Sequence, residues 1–154
     1  MAIALTLQQY LDDHHIDYDV KTHRKTECAS RTAQASHVPG DCLAKGVVFK
    51  WGDSYLMAIV PASRHVVVDK VKKIVGDSVD LASEDETSML FPDCDRGAVP
   101  VLGVPYRVAA LVDESLAKQD DIYFEGGDHK TLIHLTGKQF SELMQDMPRG
   151  RFSA

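Results

Sequence analysis

Residues 43–61, LAKGVVFKWGDSYLMAIVP, contain two apolar, β-branched-rich runs joined across Gly52-Asp53. Val47, Val48 and Phe49 on one arm and Tyr55, Leu56, Met57, Ile59 and Val60 on the other are strand formers. The stretch therefore reads as a β-hairpin, with Gly-Asp a weaker turn signal than Asn-Gly. Lys45 stands near the start of the first arm, between Ala44 and Gly46. A lysine with so little bulk beside it lets a ligand approach the backbone closely. The plainer reading is a lysine snorkelling at a strand edge, since lysine is rarely buried.

On either side of the hairpin the helical and strand signals are mixed. Leu7, Tyr10 and Leu11 have helix spacing over Thr6–Ile16, with Thr6 as the expected N-cap. Tyr18–Lys21 reads as a short strand, and Thr26–Val38 as a helix capped by Thr26 and stopped by Pro39-Gly40. After the hairpin come an apolar stretch at 66–68, a helix over 69–75 ended by Gly76, and a short strand at 79–82. Ser83-Glu84-Asp85-Glu86 is a capping box opening a helix that Pro92 closes. Strands are expected at 106–112, 122–124 and 130–135, with a helical turn at 113–118. Thr136 caps a last helix that turns Phe140, Leu143, Met144 and Met147 inward. There is no regular strand–helix alternation, and two pairs of strands are joined by tight turns. The expected fold is α+β: a single domain over residues 1–154 with a mixed sheet flanked by helices.

Bulk properties narrow the function classes. A chain of 154 residues with 44% hydrophobic and 26% charged residues can build a sizeable core. No run approaches the roughly 18 apolar residues of a membrane helix, and the N-terminus lacks the basic flank of a signal peptide. Cys28, Cys42 and Cys94 are odd in number and form no C-x-x-C, which fits a reducing, cytoplasmic setting. The net charge of −6 argues against a general nucleic-acid binder held by a basic surface. The charge is uneven: residues 1–76 carry ten Lys/Arg against eight Asp/Glu, and residues 77–154 carry seven against fifteen. A polyanion would meet the N-terminal half.

The dinucleotide, phosphate-loop, zinc-protease and nucleophile-elbow motifs are all absent. The seven histidines show no ligand spacing, so no metal and no cofactor are expected. Three features remain. They are Lys45, the loop Gly97-Ala98-Val99-Pro100-Val101-Leu102-Gly103, and the turn Gly126-Gly127-Asp128-His129. The loop offers backbone amides at small residues to a carbonyl or hydroxyl. His129, beside two glycines, has room to face a ligand and to hold a water. Taken singly, a turn and a surface histidine are the commoner readings of these two.

Ala44-Lys45, the Gly97–Gly103 loop and Gly126-x-Asp128-His129, in this order and at these distances, resemble the YbaK/prolyl-tRNA-synthetase-associated domain family. The resemblance runs from the Tyr18–His23 strand, through Arg31–Ala33, to the Phe140–Leu143 helix. It implies a mixed, partly barrel-like sheet fold and a free-standing enzyme that removes wrongly attached amino acids from tRNA, mostly tRNA for proline. It further implies that Lys45 is needed for activity, that Gly97, Ala98, Val99, Pro100 and Val101 shape the amino-acid pocket with Gly127 and Asp128 near it, and that His129 suits clearance of alanine. One departure stands out. The family loop commonly reads Gly-x-x-x-Pro, whereas here Val101 occupies the fifth position and the proline falls one place earlier, at Pro100.

The expected partners are mischarged tRNA, through its 3′ aminoacyl end, and an aminoacyl-tRNA synthetase that delivers it. An aminoacyl ester is already reactive, so the site need only place water and stabilise the oxyanion. Two alternatives stay open: a non-catalytic module holding a small ligand, an aminoacyl-tRNA end or a synthetase, and a hydrolase using Cys94 as nucleophile.

Overall fold

The structure, a computed structural model, describes residues 3–24 and 29–154. In chain order the elements are α1 (Leu5–Asp13), β1 (Asp19–Thr22), α2 (Ala29–Ser36), β2 (Ala44–Trp51), β3 (Ser54–Pro61), α3 (Val68–Val75), β4 (Val79–Leu81), α4 (Glu84–Leu90), β5 (Ala109–Asp113), β6 (Asp121–Glu125), β7 (Thr131–Thr136), α5 (Gly137–Leu143) and β8 (Arg149–Gly150). Short 3₁₀ turns cover Val104–Tyr106 and Glu114–Lys118.

The hairpin of β2 and β3 forms in the expected register, from Ala44 opposite Pro61 to Trp51 opposite Ser54, around the two-residue turn. Gly52 takes φ 61°, as the first corner of a type II′ turn requires. Met57 and Ile59 enter one core, while Leu56, Ala58 and Val60 enter another on the opposite face of the sheet. A strand apolar on both faces cannot fix its own register by alternation, so the tight turn has to do so.

Among the described residues the strands form two sheets. One has the order β4-β2-β3-β5-β8 and the other β1-β7-β6. The larger sheet is mixed: β2, β3 and β4 pair antiparallel, whereas β5 joins β3, and β8 joins β5, in parallel. The two sheets touch where Leu43 bridges to Tyr123 and the Tyr123 amide donates to the Cys42 carbonyl at 2.8 Å. The fold is therefore α+β as expected, but the sheet is divided and does not close into a barrel. The larger core lies between the sheets, with Met57, Ile59, Phe124 and Ile133 meeting Leu7 and Leu11 of α1, Phe140 of α5 and Met144 at its C-cap.

Several expected boundaries move. Helix α1 begins at Leu5 with Ala4 at the N-cap, and Thr6 lies inside the first turn, where its amide donates to Asp93 Oδ2 at 2.9 Å. A carboxylate from a distant loop replaces the local cap. The Thr26 cap lies outside the described residues. The helix expected from Asp69 starts one residue earlier, at Val68, and in the apolar stretch before it Val66 makes a single bridge to Ser153. The strand expected at 106 begins instead at Ala109, because the Val104–Tyr106 turn ends on Arg107 at φ 61°. Strand β8 had no expectation attached to it. The capping box at Ser83/Glu86 forms as read, and the expected Thr136 cap proves to be a second box, with Gln139 reaching back to the Thr136 amide.

Candidate functional site

Lys45 lies on β2 opposite Val60, half-buried, at the point where the two sheets approach. Its neighbour Gly46 serves packing as well as access. A Cβ there would stand 2.5 Å from Met57 Sδ, so the small residue admits a core methionine. Lys45, Gly46, Thr32, Gly97, Val99, Glu125 and His129 line a small cavity of about 50 Å³. Beside it lies a wider groove of about 310 Å³, reaching Leu81, Thr87 and Arg96, and the two share Gly46, Gly97 and Val99 as a common rim.

The β6–β7 turn holds His129 in place. Asp128 Oδ1 accepts from the Lys130 and Thr131 amides at 2.9 and 2.8 Å, and Oδ2 accepts from the Thr131 hydroxyl at 3.1 Å. This bracing keeps His129 at φ 61°, a left-handed conformation that is uncommon for a residue with a side chain. Its Nε2 donates to the Arg96 carbonyl at 2.5 Å. A carbonyl can only accept, so Nε2 carries the proton and, in the neutral ring, Nδ1 is the acceptor.

The same bond ties the turn to the glycine-rich loop. Gly97 takes φ 83°, and a Cβ on it would stand 3.3 Å from the His129 ring. The Asp95 amide donates to the Gly127 carbonyl at 2.7 Å, and Gly127 at φ 117° packs against Ala4 and Cys94. Arg96 is anchored at both ends, its guanidinium reaching Asp85 at 2.5 Å and Glu84 at 3.5 Å on the first turn of α4. The Ala98 amide donates to Asp95, and Pro100 has no amide to offer. Among the described residues nothing accepts from the Gly97 or Val99 amide, and these two residues face the cavity.

The structure thus brings Lys45, Gly97, Val99 and His129 to one cavity. Ala98, Pro100 and Val101 are buried behind it, Val101 within the larger core, and Gly127 and Asp128 hold the turn without lining the space. Sequence reasoning passed over Thr32 and Glu125. Burial pushes the Glu125 carboxyl up to about 7, against the lowering effects of a hydrogen bond from Thr32 and the nearby His129. Its signal was the β6 alternation: Ile122 and Phe124 face the core, which sets Glu125 on the other face, next to the Gly-Gly-Asp-His turn.

Cys94 does not fit a nucleophile. Burial pushes its thiol up to about 12, and it lies 3.6 Å from the Tyr106 hydroxyl, which donates to Asp93. A nucleophilic cysteine needs the opposite shift. Cys42 is also raised, by burial and nearby aspartates, and both are free thiols. Among the described residues no group of three or more His, Cys, Asp or Glu could hold a metal ion, and no helix is long and apolar enough to cross a membrane.

No curated protein sequence matches the chain. Solved structures resemble it closely in shape but not in sequence. A hypothetical protein, APE2540, superposes with a TM-score of 0.84 at 16% identity, covering 97% of this chain and 99% of that one. A candidate trans-editing enzyme for prolyl-tRNA synthetase gives 0.83 at 21% identity, covering 97% and 95%. A scaffold protein for computational epitope grafting gives 0.83 at 18% identity, with the same coverage. These establish the fold. The aminoacyl-tRNA editing domain family matches residues 23–143, a span that contains Lys45, the glycine-rich loop and His129, and the chain belongs to that family.

Proposed function

We propose that this protein is a free-standing deacylase that hydrolyses the ester of mischarged tRNA in the cytoplasm, on tRNA for proline carrying alanine, serine or threonine. The reading is supported chiefly by one observation: Lys45, Gly97, Val99 and His129 line a single small cavity. An editing site has to hold an acyl group, an ester carbonyl and a water at short range, and little else.

In this mechanism the 3′ adenosine occupies the wider groove and its acyl group enters the inner cavity, which is far smaller than the roughly 300 Å³ of an ordinary ligand pocket. Lys45 holds the terminal ribose or its phosphate at the junction. The amides of Gly97 and Val99 point their dipoles at the carbonyl oxygen and stabilise it as negative charge develops. Water is held by His129 through Nδ1, the nitrogen left to accept once Nε2 has donated to Arg96. Part of the proton transfer falls to a substrate ribose hydroxyl, which accounts for the lack of a Ser–His or Cys–His pair among the described residues.

Selection is by size. One methylene is worth about 1–3 kcal/mol in such a sieve, so alanine, serine and threonine are separated from larger residues more sharply than from one another. The test is a deacylation panel over tRNA for proline charged with alanine, serine, threonine, cysteine and proline. Loss of ester from the small non-cognate residues supports the reading. Binding without loss of any ester would make the chain a non-catalytic module for aminoacyl-tRNA or a synthetase.

A further inference from the structure

The inner cavity contains a polar atom that the fold leaves unsatisfied. Oε2 of Glu125 is buried and, among the described residues, has no hydrogen-bond partner, although Thr32 donates to the same carboxyl. A buried acceptor without a donor is destabilising, because it has given up its hydrogen bond to water and gained none in return. Such an atom in a native structure calls for a physical explanation, and here it sits in the wall that Lys45, Gly97, Val99 and His129 complete.

We propose that Glu125, set in the cavity wall with its unpartnered oxygen, receives the α-ammonium of the aminoacyl ester and makes the site select esters that carry a free amine. The inference rests on the deacylase reading and adds to it the chemical group by which the substrate is recognised. Every aminoacyl-tRNA presents that ammonium beside the ester carbonyl. In a cavity this small, the carbonyl at the loop amides puts the amine within reach of the wall that bears Glu125.

The charges around the carboxyl suit this role. The groups facing it are Thr32 from α2, which donates to it, and His129 and Asp128 from the turn, which respectively favour and oppose its ionisation. Lys45 of β2 completes the wall. Burial dominates, so the empty site holds a carboxyl poised near neutrality. An arriving ammonium supplies the opposite charge and the missing donor together. Glu125 acting instead as general base on water would serve any ester, with or without an amine.

An NMR titration with 3′-deoxy-3′-(L-alanylamino)adenosine and its lactyl counterpart separates the two, since the amide link resists hydrolysis and only the first carries an ammonium. Wild-type protein is expected to bind the alanyl compound about tenfold more tightly or better. Glu125→Gln should bring the two within about twofold by weakening the alanyl compound alone, and Glu125→Asp should restore part of the preference. Equal binding of the two by the wild type, no binding of either, or a preference that survives in Glu125→Gln overturns the proposal. On the corresponding charged tRNAs, Glu125→Gln should raise KM for alanyl-tRNA and leave lactyl-tRNA unchanged. An equal fall of kcat on both would make Glu125 the base and overturn it. A wild-type protein that binds the alanyl compound through Glu125 but hydrolyses no tRNA ester would remove the deacylase reading and leave the ammonium site standing.

Discussion

Lys45 is half-buried and its side chain lines the cavity, so its removal should act chiefly on chemistry. Lys45→Ala is expected to abolish deacylation with little change in thermal midpoint; unchanged turnover would take Lys45 out of the mechanism. At His129 the backbone is left-handed, and asparagine tolerates that conformation better than alanine does. His129→Asn should therefore fold normally while lowering kcat or altering the order of preferred substrates. An unaltered profile across the charged-tRNA panel would return His129 to a purely structural place. Glu125 carries a prediction about stability as well. Its carboxyl rises from the usual 4.5 to about 7 on folding, because burial disfavours the charged form. The folded state then holds the proton more tightly, and stability is full below about pH 4.5 and falls as pH rises through 7. Glu125→Gln removes this loss, so the variant should match wild type near pH 4 and exceed it at pH 8 by about 3 kcal/mol. Denaturant titrations at the two pH values check it, and a gap of equal size at both would mean that ionisation is not the cause.

At the scale of elements, what positions the site is a set of side chains gripping loops. Asp113, buried at the end of β5, accepts from Ser115, from the Phe152 amide at 3.1 Å and from the Ser153 hydroxyl at 2.9 Å. Burial alone would raise its pKa, but these donors outweigh it and hold the carboxylate below its usual range. The stability it contributes is present above the ordinary aspartate value and is lost as pH falls through the depressed one. Asp113→Ala should release Phe152 and Ser153, whose groups it accepts from, and cost about 2–4 kcal/mol, with the gap to wild type closing in acid. A gap that held constant down to pH 2 would contradict this. Gly97 joins the loop to His129, and Gly97→Ala meets both a positive φ and the imidazole. It should cost about 1–2 kcal/mol in stability and lower deacylation by displacing the ring. The sequence was most legible where the controlling interaction is local. The hairpin, the Ser83 capping box and the Thr136 cap of α5 depend on residues three or four apart, or on a two-residue turn. It was least legible where a distant partner decides: the Asp93 carboxylate replaces the Thr6 cap, the left-handed Arg107 delays β5, and β8 exists because Asp113 holds the tail.

Across the whole molecule, the site arises because β2, the Gly97 loop and the β6–β7 turn, far apart in sequence, meet where two sheets touch. Lys45, Gly97 and His129 could be singled out from sequence because glycines and an apolar setting mark them. Thr32 and Glu125 carried no such mark, since a threonine in a helix and a glutamate ending a strand are ordinary until the cavity closes round them. The net charge of −6 leads us to expect only modest affinity for bare tRNA, so that a partner protein such as a synthetase would help deliver the substrate. Filter binding against ionic strength tests this, and a tight complex that resists salt would speak against help from a partner. The account as a whole rests on ester hydrolysis at that meeting point. Its most direct measurement is the rate of alanine release from alanyl-tRNA for proline by wild-type protein and by Lys45→Ala at matched folded concentration. Release by the wild type that falls to the uncatalysed rate in the variant is the predicted result. Equal release by both, or none by either, would contradict it.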